Sequence, residues 1–174
     1  LAAAEPRAFF RGESANTWLR LRASWDIVAV ARGMGTYLAE RSFTHAGSRV
    51  QFPGMFKDHR GRDGIAKFGA VQEMLSGITE SVEVLEALRG RPGSGRFAAA
   101  LAVDLLGPSP RSISYLAGQV LGGTAYSEED PVCRFFRDAS MLTRIPVHGG
   151  EVWSEFGERA LESLRPGEAL LPDL

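Results

Sequence analysis

A few positions in the chain carry residue types suited to holding an anionic ligand. Arg49 offers a planar, permanently charged guanidinium whose paired N–H groups match phosphate oxygens. Gln119 presents a donor and an acceptor on one amide. Gly122-Gly123, set just past an apolar helical stretch, lets backbone approach a ligand with no side chain between. Each also has a plainer reading: Arg49 as a solvated loop arginine, Gly122-Gly123 as a helix C-cap. Two further residues could move a proton. His148 carries an imidazole, a side chain able to accept a proton near neutral pH, and Glu151 is a carboxylate; their plainer readings are an exposed turn histidine and a first-turn helix acid. Arg134 and Asp138 stand one helical turn apart, where a surface pair contributes a few tenths of a kcal/mol, so they read as structural. No metal-ligating set is expected.

Composition narrows the class of protein that positions these groups. The chain has 174 residues, 44% apolar and 24% charged, with a formal net charge of −1. That length supports one domain with a core, burying roughly 70% of the unfolded surface. The near-neutral charge provides no field for nucleic acid, and no basic stripe with interleaved aromatics is present. Cys133 is the single cysteine and cannot form an intrachain disulfide, which points to a reducing, cytoplasmic setting. No apolar run reaches the ~20 residues needed to span a bilayer. The opening Leu1-Ala2-Ala3-Ala4 lacks the basic flank of a signal peptide, and a start on Leu points to a fragment or a processed product.

Apolar periodicity supplies the elements. Trp18, Leu21, Trp25, Val28 and Leu38 predict a first helix from about Asn16 to Ala46, with Gly33 and Gly35 marking close packing against a neighbour or a ligand. Gly47 to Arg62 reads as an exposed loop. From Ile65, the positions Phe68, Val71, Leu75, Ile78, Val82 and Leu85 keep one face for about five turns, with Asp63 as N-cap and Gly90 with Pro92 as the stop. A third stretch runs from Phe97 to Leu106, breaks at Gly107-Pro108-Ser109-Pro110 and resumes from Ser112 to Leu121. Asp130 caps a fourth helix that starts on Pro131 and buries Val132, Phe135, Phe136, Ala139 and Leu142. Val152, Trp153, Phe156, Ala160 and Leu164 predict a short last helix. No period-two strand appears. The expected fold is all-α: an antiparallel four-helix bundle over residues 14–165 with a short extra C-terminal helix and flanking tails at 1–13 and 166–174.

Two stretches go beyond a generic bundle. Gln119, Gly122-Gly123, Ala125-Tyr126, Asp130-Pro131 and Arg137-Asp138-Ala139 resemble the signature of the flavin-dependent acyl-CoA dehydrogenases, with Ala125 in place of a glycine. Arg49-Val50-Gln51-Phe52 followed by Ile65-Ala66-Lys67-Phe68 is similar to that family's Arg-x-Gln-Phe-Gly loop and the helix after it. Here Pro53 replaces the loop glycine, Gly69 a helix glutamine, and extra residues lengthen the loop. The two motifs occur in the family's order.

The resemblance implies the last of three domains of a FAD-dependent oxidoreductase of fatty acid metabolism. Arg49, Phe52, Phe68, Gln119, Gly122 and Gly123 would contact FAD, with Phe52 and Phe68 lining a site formed between chains. It implies an acyl-CoA substrate and a homodimer or homotetramer, or a complex with the N-terminal and β domains that this sequence does not contain. The family abstracts the proton alpha to the thioester with a carboxylate, but the corresponding position here is Val147. The alternative position on the first helix falls near Ala23. Asp26, His148 and Glu151 are the nearest substitutes. A non-catalytic assembly subunit and a plain helical interaction module stand as the other readings.

Overall fold

The computed structural model describes residues 13–53, 57, 61, 63–88, 95–107, 109–128, 130–142, 153–155, 157, 158 and 161, with side chains from residue 22 onward. The protein is all-α: among the described residues every regular element is helical and no strand occurs. Helix α1 spans Glu13–Ser48, α2 Gly69–Ala87, α3 Gly95–Leu106, α4 Ile113–Leu121 and α5 Pro131–Leu142.

Helix α1 runs 36 residues, a few beyond each predicted end, and measures about 54 Å at the standard helical rise. Ser24, Val28, Ala31, Leu38, Ser42 and Ala46 are all buried along it, at steps of three, four and seven. The two serines fit this stripe because a helical hydroxyl can bond its own backbone: Ser42 Oγ donates to the Leu38 carbonyl at 2.7 Å. Of the two mid-helix glycines, only Gly35 is closely packed. A Cβ there would sit 3.0 Å from Ile113 Cδ1 and 3.1 Å from Leu85 Cδ1, while one at Gly33 would meet nothing. Gly35 is therefore where α2 and α4 both approach α1.

Helix α2 presents the predicted stripe: Leu75, Ile78 and Leu85 are buried, and Phe68, Val71 and Val82 pack against the core from its edge. Its start differs from expectation. Ile65–Lys67 forms a 3-10 turn, Phe68 occupies the N-cap position, and the helix proper opens at Gly69. Asp63 does not cap it; its carboxylate faces Lys67 Nζ at 3.4 Å instead.

The break after α3 is real, and α3 and α4 behave as separate helices: α3 lies mainly on α1, while α4 contacts both α1 and α2. Ser112 caps α4, its side chain accepting from the Tyr115 amide at 3.3 Å. Buried Ser114 donates between the Leu106 and Gly107 carbonyls, at 2.5 and 2.7 Å, and so satisfies the end of α3. Helix α5 begins as expected, with Asp130 Oδ1 accepting from the Val132 amide at 3.0 Å. Residues 153–155, 157, 158 and 161 are helical, and Trp153 meets Phe97 edge-on with ring centroids 5.5 Å apart. Leu38, Ile78, Leu85, Leu106 and Ile113 are fully buried, each contributing roughly 1.5–3 kcal/mol of transfer free energy. Among the described residues, no helix is long and apolar enough to cross a membrane.

Candidate functional site

The chain leaving α1 turns back on itself and forms one wall of a cleft. The Arg49 amide donates to the His45 carbonyl at 2.8 Å, extending the last helical turn. The Arg49 carbonyl in turn accepts from the Ile65 amide at 2.8 Å, and Val50 pairs antiparallel with Gly64. Gly64 is required for this closure, since a Cβ there would lie 2.5 Å from the Gly47 carbonyl oxygen and 2.8 Å from that of Ala46. Lys67 fastens the two sides of the loop: its Nζ, on a side chain only 3% exposed, reaches the Gln51 carbonyl at 3.4 Å and the Asp63 carbonyl at 3.3 Å. The residues that hold Arg49 in place are thus backbone groups and one buried lysine.

The opposite wall is the end of α4. Gly122 is its C-cap at φ 58°, a left-handed conformation that favours glycine. A Cβ on Gly122 or on Gly123 would meet no atom within 4 Å, so both border open space. Between the walls lies a cleft of about 370 Å³. Arg49, Phe68, Gln119, Gly122 and Gly123, from motifs some fifty residues or more apart, all line it. Phe52 does not. It is 58% exposed at φ 57°, unusual for a residue with a side chain, and stands outside the cleft. His148 and Glu151 lie outside the described residues.

Sequence reasoning missed His45, Gln51 as a separate contact, and Thr124, which also line the cleft above an apolar floor of Ile65, Val71, Val120 and Leu121. His45 precedes Arg49 by four residues, but that spacing becomes one helical turn only because α1 continues to Ser48.

The charges around the cleft are ordered. Arg41 Nη2 donates to Asp130 Oδ2 at 2.5 Å, tying α1 to the start of α5. The Val132 amide and then the Arg41 bond hold the Asp130 carboxyl below its usual range, and Asp130 holds Arg41 above its own. Arg41 Nε is buried and has no hydrogen-bond partner among the described residues. Burial, and then Arg49 and Arg41, push His45 below its ordinary value, against a smaller opposing effect of Asp130. No ion pair engages Arg49 among the described residues. Among the described residues the cleft therefore holds one permanent cation without an ion pair, Arg49, the two neutral amides of Gln51 and Gln119, and exposed backbone, a donor set that fits a diphosphate.

No carboxylate lines the cleft among the described residues. Asp26 is 62% exposed and pairs with Arg22 at 3.4 Å. It precedes His45 by nineteen residues, about 28 Å along α1. Arg134 and Asp138 form the exposed i,i+4 pair expected of them, at 3.8 Å. No protein-family model matches the chain, and no match is found among curated proteins.

Proposed function

We propose that this chain is the C-terminal helical bundle of an acyl-CoA dehydrogenase-like flavoprotein, acting in αβ-dehydrogenation of an acyl thioester. The carrying observation is that five of the six residues expected to contact FAD share one cleft, although they come from two motifs far apart in the chain. In this reading α1, α2, the broken α3–α4 pair and α5 are the family's antiparallel bundle. Arg49 binds diphosphate oxygens with its fork. Gln119 hydrogen-bonds the same group or the adjoining ribose. Gly122 and Gly123 bring backbone to the ligand, and Phe68 gives it an apolar wall. FAD, when bound, supplies the hydride acceptor.

The cleft sits low in the roughly 300–1,000 Å³ range of small-molecule sites, so it holds a fragment of the dinucleotide. The rest of the site comes from a second copy of the chain or from the N-terminal and β domains, and exposed Phe52 is turned outward for such a partner. Val147 at the family's base position, with no carboxylate lining the cleft among the described residues, favours a variant of the same reading, a non-catalytic assembly subunit that holds flavin without turning over substrate. A visible absorption spectrum of the protein purified with its native companions separates the cases. Flavin bands that bleach on adding acyl-CoA support the dehydrogenase, and bands that persist support the assembly subunit. Arg49→Ala is expected to lose the flavin in both. A complete assembly that holds no flavin leaves a plain helical interaction module.

A further inference from the structure

We propose that His45 is a second, proton-dependent ligand of the cleft, clamping a phosphate-type oxyanion together with Arg49 and doing so only as the imidazolium. The proposal rests on the reading that the cleft receives a diphosphate. His45 and Arg49 stand one turn apart at the end of α1 and both line the cleft, facing the open backbone of Gly122 and Gly123.

The surrounding charges leave these two groups to an incoming anion. Among the described residues Asp130 is the carboxylate acting on His45, and both its oxygens are engaged, Oδ1 by the Val132 amide and Oδ2 by Arg41. The 3-10 turn contributes Lys67, which is directed at Asp63 and the Gln51 carbonyl. The α4 side contributes Gln119 and Thr124, which are neutral. In the free chain, burial and the two arginines oppose a charge on His45. A bound dianion reverses the sign of that local potential, so binding takes up a proton. Affinity then rises as pH falls through the window between the ring's pKa in the complex and in the free chain, by at most about tenfold per pH unit.

Inorganic sulfate is the suitable probe, because it stays a dianion across this range and so contributes no titration of its own. Binding is measured on the full chain at constant ionic strength, at pH 6 and pH 7.5, with the His45 ring titrated by NMR in parallel. The chain holds 3 histidines, and His45→Gln assigns the resonance. The expected results are sulfate binding roughly fivefold tighter at pH 6, a His45 pKa that rises with sulfate, and no pH dependence in His45→Gln. Replacing His59 and His148 with Gln assigns the His45 resonance by elimination, so a His45→Gln chain that fails to fold leaves the NMR titration intact. Equal affinity at both pH values, or a His45 pKa unmoved by saturating sulfate, overturns the proposal while leaving the flavin reading standing. Displacement of sulfate by FAD supports both. Displacement by coenzyme A and not by FAD keeps His45 as the proton-linked ligand and removes the flavin reading. No sulfate binding at either pH overturns the proposal and the diphosphate cleft together.

Discussion

Asp130 joins two structural roles in one carboxylate: Oδ1 caps α5, and Oδ2 receives Arg41 from α1. Asp130→Ala is expected to destabilise the fold by about 1–2 kcal/mol, in the range of a lost N-cap, read from the midpoint of urea unfolding. Asp130→Asn keeps an acceptor at the cap and costs less. The pH dependence follows from the carboxyl's depressed pKa. A carboxylate stabilised in the folded state contributes fully above its unfolded pKa of about 3.9 and loses that contribution as pH falls below it. Wild-type stability should therefore fall between about pH 5 and pH 3 more steeply than that of Asp130→Asn. Parallel urea titrations across that interval check the slope.

At the scale of elements, the closure between α1 and α2 is the most sensitive piece. Gly64→Ala places a methyl against the Gly47 and Ala46 carbonyls, which belong to the backbone of α1 and cannot swing aside. The loop has to lift, carrying Arg49 with it, and a loss of about 2 kcal/mol is expected from such an overpacked contact, together with weakened sulfate binding at pH 7.5. Ser114→Ala acts elsewhere: it leaves the Leu106 and Gly107 carbonyls without their buried donor. A cost of about 1–3 kcal/mol is expected, with the cleft unaffected, and thermal unfolding beside a binding isotherm distinguishes the two variants.

These junctions also show what was legible in the sequence. The start of α5 was, because Asp-Pro is a cap and a first-turn residue acting locally. The break before α4 was, because prolines cannot donate. The start of α2 was not: Asp63 has the chemistry of a cap, but the Gly64 contact with α1 sets the chain direction there, and Ile65–Lys67 winds as a 3-10 turn first. That contact joins residues distant along the chain and leaves no local mark. The cleft was legible through its two motifs, while His45 needed the knowledge that α1 continues to Ser48 and keeps Arg49 in register with it.

For the molecule as a whole, α1 is the spine: α3 packs chiefly along it, and α2 and α4 pack both on it and on each other. Leu38 lies on that spine with 0% exposure, whereas Val30 is 49% exposed. Leu38→Ala should cost about 3 kcal/mol as a cavity in the shared core, and Val30→Ala should stay within about 0.5 kcal/mol. A single shifted transition for Leu38→Ala, by circular dichroism and tryptophan fluorescence alike, would show that the helices unfold as one unit. The closure at Val50 and Gly64 has a different kind of consequence. Because the loop's two ends are pinned to each other and to α1, its length is uncoupled from the position of Arg49. Lengthening the segment between them costs only slowly growing closure entropy, about 0.6 kcal/mol per doubling. The loop is thus a place where evolution can add residues without redrawing the cleft, and where an experimenter can graft an epitope or a fluorophore.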